Sequence, residues 1–206
     1  MGKINKGILG GFSGRVGNVI GGSWKGIDYM RSEATSIADP KTAKQLEQRS
    51  KFRVAVEFAK QVVPIINIGL KQYATKRSEF NYLVSRICTD WWDEANNTID
   101  FSKVQLSSGE LPTEDITSVI VSSGNALVGH TSLHEDYFTN LTISCIYDTI
   151  SGKVYLSDIP ANVYRDDESV IVYGAGGLDL TKCWSFLFFY DETTGECSPT
   201  TSHYGV

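Results

Sequence analysis

The sequence predicts a mixed α+β fold: a glycine-rich extended N-terminal arm, then helices, then an antiparallel β-sandwich of the immunoglobulin or fibronectin type III kind. Three observations predict it. Nine of the 19 glycines fall within residues 1–26. A run of helical spacing without a breaker follows Asp39-Pro40 and lasts until Pro64. Beyond Ile99 the apolar residues alternate with period two, in short runs bounded by turn residues. The corresponding parts are a basic arm at 1–38, a helical region at 39–98 and an acidic sandwich at 99–206.

Glycine this dense opposes an isolated helix, at about 1 kcal/mol each relative to Ala. Ile8, Phe12, Val16, Val19, Trp24 and Ile27 lie near helical spacing, with Gly10, Gly14, Gly17 and Gly21 on another stripe. The same stretch also reads as two extended segments, Arg15–Ile20 and Ser23–Arg31, joined at the turn-prone pair Gly21-Gly22. We take the extended reading. Asp39 is expected to cap the next helix and Pro40 to occupy its first turn. Its apolar stripe is expected at Ala43, Leu46, Phe52, Val56, Ala59 and Val63. Pro64 starts a second piece whose Ile65, Ile66, Ile68 and Leu70 belong to the core. Ser78 and Glu79 open a third helix that runs through Phe80–Trp92 to Asn96-Asn97.

The expected strands are Val104–Leu106, Ile116–Val121, Ala126–Val128, Leu141–Tyr147, Val154–Leu156, Val170–Tyr173 and Trp184–Tyr190. Turns are expected at Ser151-Gly152, Gly176-Gly177 and Thr194-Gly195. The nearly all-apolar run Trp184–Tyr190 reads as a central strand, or as an exposed one that a partner covers.

Charge divides the chain as sharply as periodicity does. Residues 1–77 hold 14 Lys and Arg against 5 Asp and Glu, a net +9, whereas residues 78–206 hold 5 against 19, a net −14. Three arrangements would use this: neutralisation within one molecule, contact between the basic part of one subunit and the acidic part of the next, or contact with a polyanion. The acidic part would repel a polyanion.

Little in the sequence points to catalysis, and no enzymatic activity, metal or cofactor is expected. Cys88, Cys145, Cys183 and Cys197 share no C-x-x-C spacing and read as small buried hydrophobes. His130 and His134 are four apart and precede Glu135 and Asp136, but they fall between strands and read as a surface loop. Asp166, Asp167 and Glu168 lack the oxygen spacing of a calcium loop and read as solvated. Neither a phosphate-binding glycine loop nor a G-x-S-x-G elbow occurs. No stretch reaches the roughly 18 apolar residues of a membrane span. Lys3 and Lys6 precede an apolar stretch that Arg15 interrupts, a poor match to a secretory signal, so cytoplasmic synthesis is expected.

The stretches Gly7–Gly17 (GILGGFSGRVG), Trp24–Arg31 (WKGIDYMR), Thr42–Phe52 (TAKQLEQRSKF), Ile99–Pro112 (IDFSKVQLSSGELP) and Ser202–Gly205 (SHYG) resemble an uncharacterised bacterial family of about this length, a domain of unknown function. The resemblance spans most of the chain and implies no activity. Tyr29, Arg31, Pro40, Thr42, Gln45, Arg49 and Phe52 are also similar to a looser pattern in phage and prophage proteins. That similarity implies a structural or assembly protein, with the virion as its destination.

The expected function is therefore that of a phage or prophage-type assembly protein whose partners are itself and other structural proteins. Its candidate contact residues are Arg15, Trp24, Lys25, Tyr29, Arg31, Lys44, Arg49, Lys51 and Arg53. A nucleic-acid-associated protein using Arg31, Lys44, Arg49, Lys51 and Arg53 is the first alternative. The second is an adhesin-like interaction module, against which the missing signal peptide stands.

Overall fold

The computed structural model describes residues 3–4, 11–36, 39, 41–159 and 163–205. The expected roles of Ile8, Gly10 and Pro40 lie outside them. The chain divides into two compact units, residues 1–45 and 46–206.

The first unit is an antiparallel meander of β1 (Lys3–Ile4), β2 (Phe12–Val16), β3 (Val19–Trp24) and β4 (Ile27–Ser32), adjacent in that order. The arm is thus extended, but its turns are not where Gly21-Gly22 suggested. Val16 pairs with Val19 across Gly17-Asn18, and Trp24 pairs with Ile27 across Lys25-Gly26. Lys25 and Gly26 both take positive φ, 48° and 80°, as a tight hairpin turn requires. Gly21-Gly22 lies inside β3 because rings need the space. A Cβ on Gly21 would fall 2.7 Å from the Phe12 ring and 2.2 Å from its carbonyl oxygen, and one on Gly22 would fall 2.9 Å from the Tyr29 hydroxyl. Each glycine seats an aromatic ring on one face of the sheet.

Helix α1 spans Ala43–Gln61. Thr42, rather than Asp39, supports its first turn: the Gln45 N–H donates to Thr42 Oγ1 and the Thr42 N–H donates to Gln45 Oε1, both at 3.4 Å, a reciprocal capping arrangement. The expected apolar stripe is rotated. Ala59 is buried as expected, but Ala43, Leu46 and Phe52 are exposed, and the buried side carries Lys51, Ala55, Phe58 and Ala59, with Val62 just beyond the helix. Helix α2 (Val63–Gly69) begins with Pro64 in its first turn and buries Ile65 and Ile66, with Leu70 just beyond. Helix α3 (Glu79–Thr89) starts at Ser78, whose hydroxyl accepts the Asn81 N–H. It stops short of Trp92, because Trp92–Asp93 pairs as β5 with β6 (Thr98–Ile99) in a small hairpin.

The remaining strands are β7 (Ile116–Ser122), β8 (Asn125–His130), β9 (Leu141–Asp148), β10 (Lys153–Leu156), β11 (Ser169–Val172), β12 (Cys183–Tyr190) and β13 (Thr201–Tyr204). They form a four-stranded sheet, β10-β9-β12-β13, and a three-stranded sheet, β11-β8-β7, all antiparallel. Strand β13 has no counterpart among the expected strands, and Val104 and Leu106 are buried but belong to no strand. There the Leu106 and Ser107 N–H groups donate to Thr200 Oγ1 instead of to a ladder.

Period two explains the layering. Leu141, Ile143 and Cys145 of β9, with Phe186 and Phe188 of β12, join the helices in one core. Ile146, Cys183, Leu187 and Phe189 point the other way, into a second core with Val119, Val128, Val170 and Val172 of the three-stranded sheet. The four-stranded sheet is therefore a middle layer, which is why β12 needs apolar residues at successive positions and is central as expected. Each large side chain so buried contributes about 1.5–3 kcal/mol. The class is mixed α+β with antiparallel sheets. An immunoglobulin or fibronectin type III sandwich leaves both outer faces to solvent, whereas here helices cover one.

Candidate functional site

The N-terminal sheet gathers four of the candidate contact residues on one face. Arg15, Ile20 and Arg31 stand directly opposite one another across β2, β3 and β4. Two residues further along, Tyr29 lies over Gly22, and beyond it Trp24 faces Ile27. Alternation therefore puts Arg15, Ile20, Trp24, Ile27, Tyr29 and Arg31 on the same side. Trp24 is 55% exposed, Ile27 70% and Tyr29 50%. Arg15 is held by Glu33 at 2.7 Å and donates from Nε to the Gly17 carbonyl at 3.2 Å, so its guanidinium keeps a fixed place beside the hairpin. Lys25 occupies the adjoining turn. The opposite face carries Val16, Val19 and the 71% exposed Met30 around Gly14 and Gly21, and both faces of the sheet are largely exposed.

The basic residues of α1 divide differently. Lys44, Arg49 and Arg53 are exposed. Lys51 is buried: its Nζ donates to Glu94 Oε1 at 2.9 Å and lies 5.2 Å from the Trp92 ring centroid. Its charge is committed within the 46–206 unit.

A polar cluster that sequence reasoning missed lies at the edge of the three-stranded sheet. Glu114, with its side chain 1% exposed, accepts from Thr131 Oγ1 at 2.7 Å, the Leu133 N–H at 3.0 Å, His134 Nδ1 at 2.7 Å and Arg165 Nη2 at 2.7 Å. Burial pushes its carboxyl up, but the bonds from His134, Thr131, Arg165 and Leu133 outweigh burial and hold it down at about 2. Arg165 is fully buried, with its guanidinium 4.1 Å from the Phe189 ring centroid. The expected surface loop around His130 is thus in part interior. His130 is buried at the end of β8 and donates from Nδ1 to the Thr131 carbonyl at 2.7 Å, and burial lowers its pKa. The cluster ties together the segments before β7, after β8 and before β11. It is a structural ion pair.

The cysteines are all free thiols, and all have raised pKa values. Cys197 borders a cleft of about 250 Å³, but burial pushes its thiol up to about 11, so it holds no thiolate near neutrality. No group of three or more His, Cys, Asp or Glu side chains suited to a metal ion occurs among the described residues. Nor is any described helix long and apolar enough to cross a membrane.

No curated protein and no solved structure matches the chain. The comparisons carry no similarity to phage or prophage proteins. What does match is a sequence profile over residues 11–135, which takes in β2–β4, all three helices and the β7–β8 hairpin. That match covers more than half of the chain and includes the Trp24–Arg31, Thr42–Phe52 and Ile99–Pro112 stretches, so the chain belongs to a family of unknown function (DUF6266).

Proposed function

We propose that the chain is a non-enzymatic assembly protein that makes subunit–subunit contacts with further copies of itself through its N-terminal sheet. The observation that carries this reading is the sheet's surface: four short strands with aromatic, aliphatic and arginine side chains exposed and little of it buried. Such a sheet gains little from folding unless another layer covers it. Trp, Tyr and Arg are also the residues that dominate interface energies. Charge favours a second copy as the cover, since residues 1–45 carry a net +4 and residues 46–206 a net −9. The larger unit has an uncovered apolar row of its own, with Ile120, Leu127 and Ile171 side by side across β7, β8 and β11.

Dimensions favour an array over a closed pair. Four strands about 4.8 Å apart, none longer than six residues, span a face of no more than roughly 400 Å². A standard interface takes about 800 Å² from each partner, so cover on both faces is needed for lasting association. A virion role is the phage-type form of this reading, and it rests only on the pattern from Tyr29 to Phe52. The two packed sheets serve as the rigid module, and their two antiparallel layers are what an immunoglobulin-like description has in its favour.

The test is the mass of the full chain by light scattering at low and high ionic strength. Self-association is expected at low ionic strength, weakened by salt and by replacing Trp24 and Met30, one on each face, with Glu. A monomer throughout the micromolar range at low ionic strength would overturn the reading. A second reading, contact with single-stranded nucleic acid, is favoured by the two aromatic rings and two arginines on one face. It requires oligonucleotide binding that falls steeply with salt and is lost in Tyr29→Ala.

A further inference from the structure

The register of the four-stranded sheet places three aromatic residues in a row. Tyr147 of β9 stands opposite Trp184 of β12, and Trp184 stands opposite Tyr204 of β13. The Trp184 and Tyr204 ring centroids are 4.9 Å apart, and Phe101 stacks on Tyr147 at 4.3 Å. Together with the β5–β6 hairpin these rings border an open cleft of about 350 Å³. The hairpin brings two carboxylates to it, Asp93 at the end of β5 and Asp100 just after β6.

Both carboxylates are fixed. Asp93 Oδ1 accepts the N–H groups of Ala95 and Asn96, and its Oδ2 accepts from the Asn96 side chain. Asp100 accepts from the Ser102 N–H and hydroxyl and pairs with Lys103 at 2.7 Å. The cleft thus sets aromatic side chains, whose rings can attract positive charge, beside anionic acceptors in a unit of net −9. An anion would be repelled on both counts. Lys103 already holds an ammonium group against one of the two carboxylates.

We propose that this cleft binds an organic cation, an ammonium or guanidinium group of the kind that lysine and arginine side chains carry. The inference does not depend on the N-terminal sheet. The group comes either from a small free cation or from a basic side chain of a second copy, and the chemistry of recognition is the same.

The test titrates the full chain with Nα-acetyl-arginine amide and, as a neutral isostere, Nα-acetyl-citrulline amide, following the Trp184 indole N–H by NMR. Saturable binding of the arginine compound is expected, at least about tenfold tighter than that of the citrulline compound. Asp93→Asn and Tyr204→Ala, neither of which touches the buried core, should each weaken it several-fold. Lys103→Ala, which removes the internal competitor, should strengthen it. Equal binding of the two compounds, or binding indifferent to both Asp93→Asn and Tyr204→Ala, overturns the proposal. Sedimentation of the same samples identifies the source: if arginine amide dissociates oligomers at concentrations that fill the cleft, the natural occupant is a second copy. If the cleft fills while the mass stays constant, the proposal stands with a free cation as ligand.

Discussion

Removing the Glu114 carboxylate should be among the most damaging single changes in the chain. Four donors converge on it, and one of them, Arg165, is fully buried. In Glu114→Ala the guanidinium keeps its ring contact with Phe189 but loses its counter-charge in a place water does not reach. Stranding a buried charge in this way costs about 3–5 kcal/mol. For a unit of this size that corresponds to a fall in Tm of roughly 6–20 °C. Urea and thermal melts followed by tryptophan fluorescence and circular dichroism measure both quantities. The double variant Glu114→Leu with Arg165→Met removes both charges, and it should be more stable than the single one because no charge is left stranded, while staying below the parent because Thr131, Leu133 and His134 still lose their acceptor. If Glu114→Ala costs less than about 1 kcal/mol, or if the double variant is as unstable as the single one, charge compensation is not what holds these three segments together.

Acid should act through the same carboxylate. Its folded pKa of about 2 lies below the ordinary 4.5, so the stability it adds is complete above 4.5 and is lost as pH falls from there towards 2. Melts across that window should show a loss that Glu114→Gln flattens, and an unchanged slope in the variant would refute the assignment. The thiols should be slow: in a disulfide-exchange assay near pH 8 the folded chain should release little colour, chiefly from the half-buried Cys88, and four equivalents only after denaturation. A rapid burst of two or more thiols would contradict their burial. Gly109→Ala should destabilise by about 1–3 kcal/mol, since its Cβ would sit 1.9 Å from the Cys197 carbonyl oxygen, while Gly177→Ala, with nothing within 4 Å, should stay within about 0.5 kcal/mol. Lys51→Ala should lower stability by about 1–2 kcal/mol through the lost Glu94 and Trp92 contacts and leave any oligonucleotide affinity unchanged, whereas Arg31→Ala should do the reverse.

Residue patterns that depend on one element were legible in the sequence, and those that depend on which neighbour covers it were not. The extended arm, the Ser78 cap and the central place of Trp184–Tyr190 follow from local chemistry. The Gly21-Gly22 pair misleads because glycine serves two needs, a turn and the seating of a ring, and only the partner strands carrying Phe12 and Tyr29 decide between them. Helix α1 misleads in a similar way. Leu46 and Phe52 look like core, yet the buried side is defined by Ala55 and Ala59, small enough for close packing, and by Lys51, which reaches Glu94. Arg165 was hidden beside Asp166, Asp167 and Glu168, a plainly solvated group. The available signal was its rarity, as one of only five basic residues after position 77. Tyr147, Trp184 and Tyr204 come together through strand register alone, which sequence spacing does not encode.

The middle-layer position of β12 bears on how the chain is made. On the ribosome the helices of residues 43–89 emerge long before residues 183–190, yet their apolar sides have no complete sheet to close on until Phe186 and Phe188 arrive. The β7–β8 hairpin waits on Leu187 and Phe189 of the same strand. Neither half of the large unit can be completed first, so its folding should be one late, cooperative event dominated by contacts distant in sequence, which are slow to form. During that delay the nascent chain carries exposed apolar helices and unpaired strands, the surfaces that chaperones recognise. The N-terminal meander pairs only strands adjacent in sequence, so its register does not wait on β12, although its stability still waits on a covering layer.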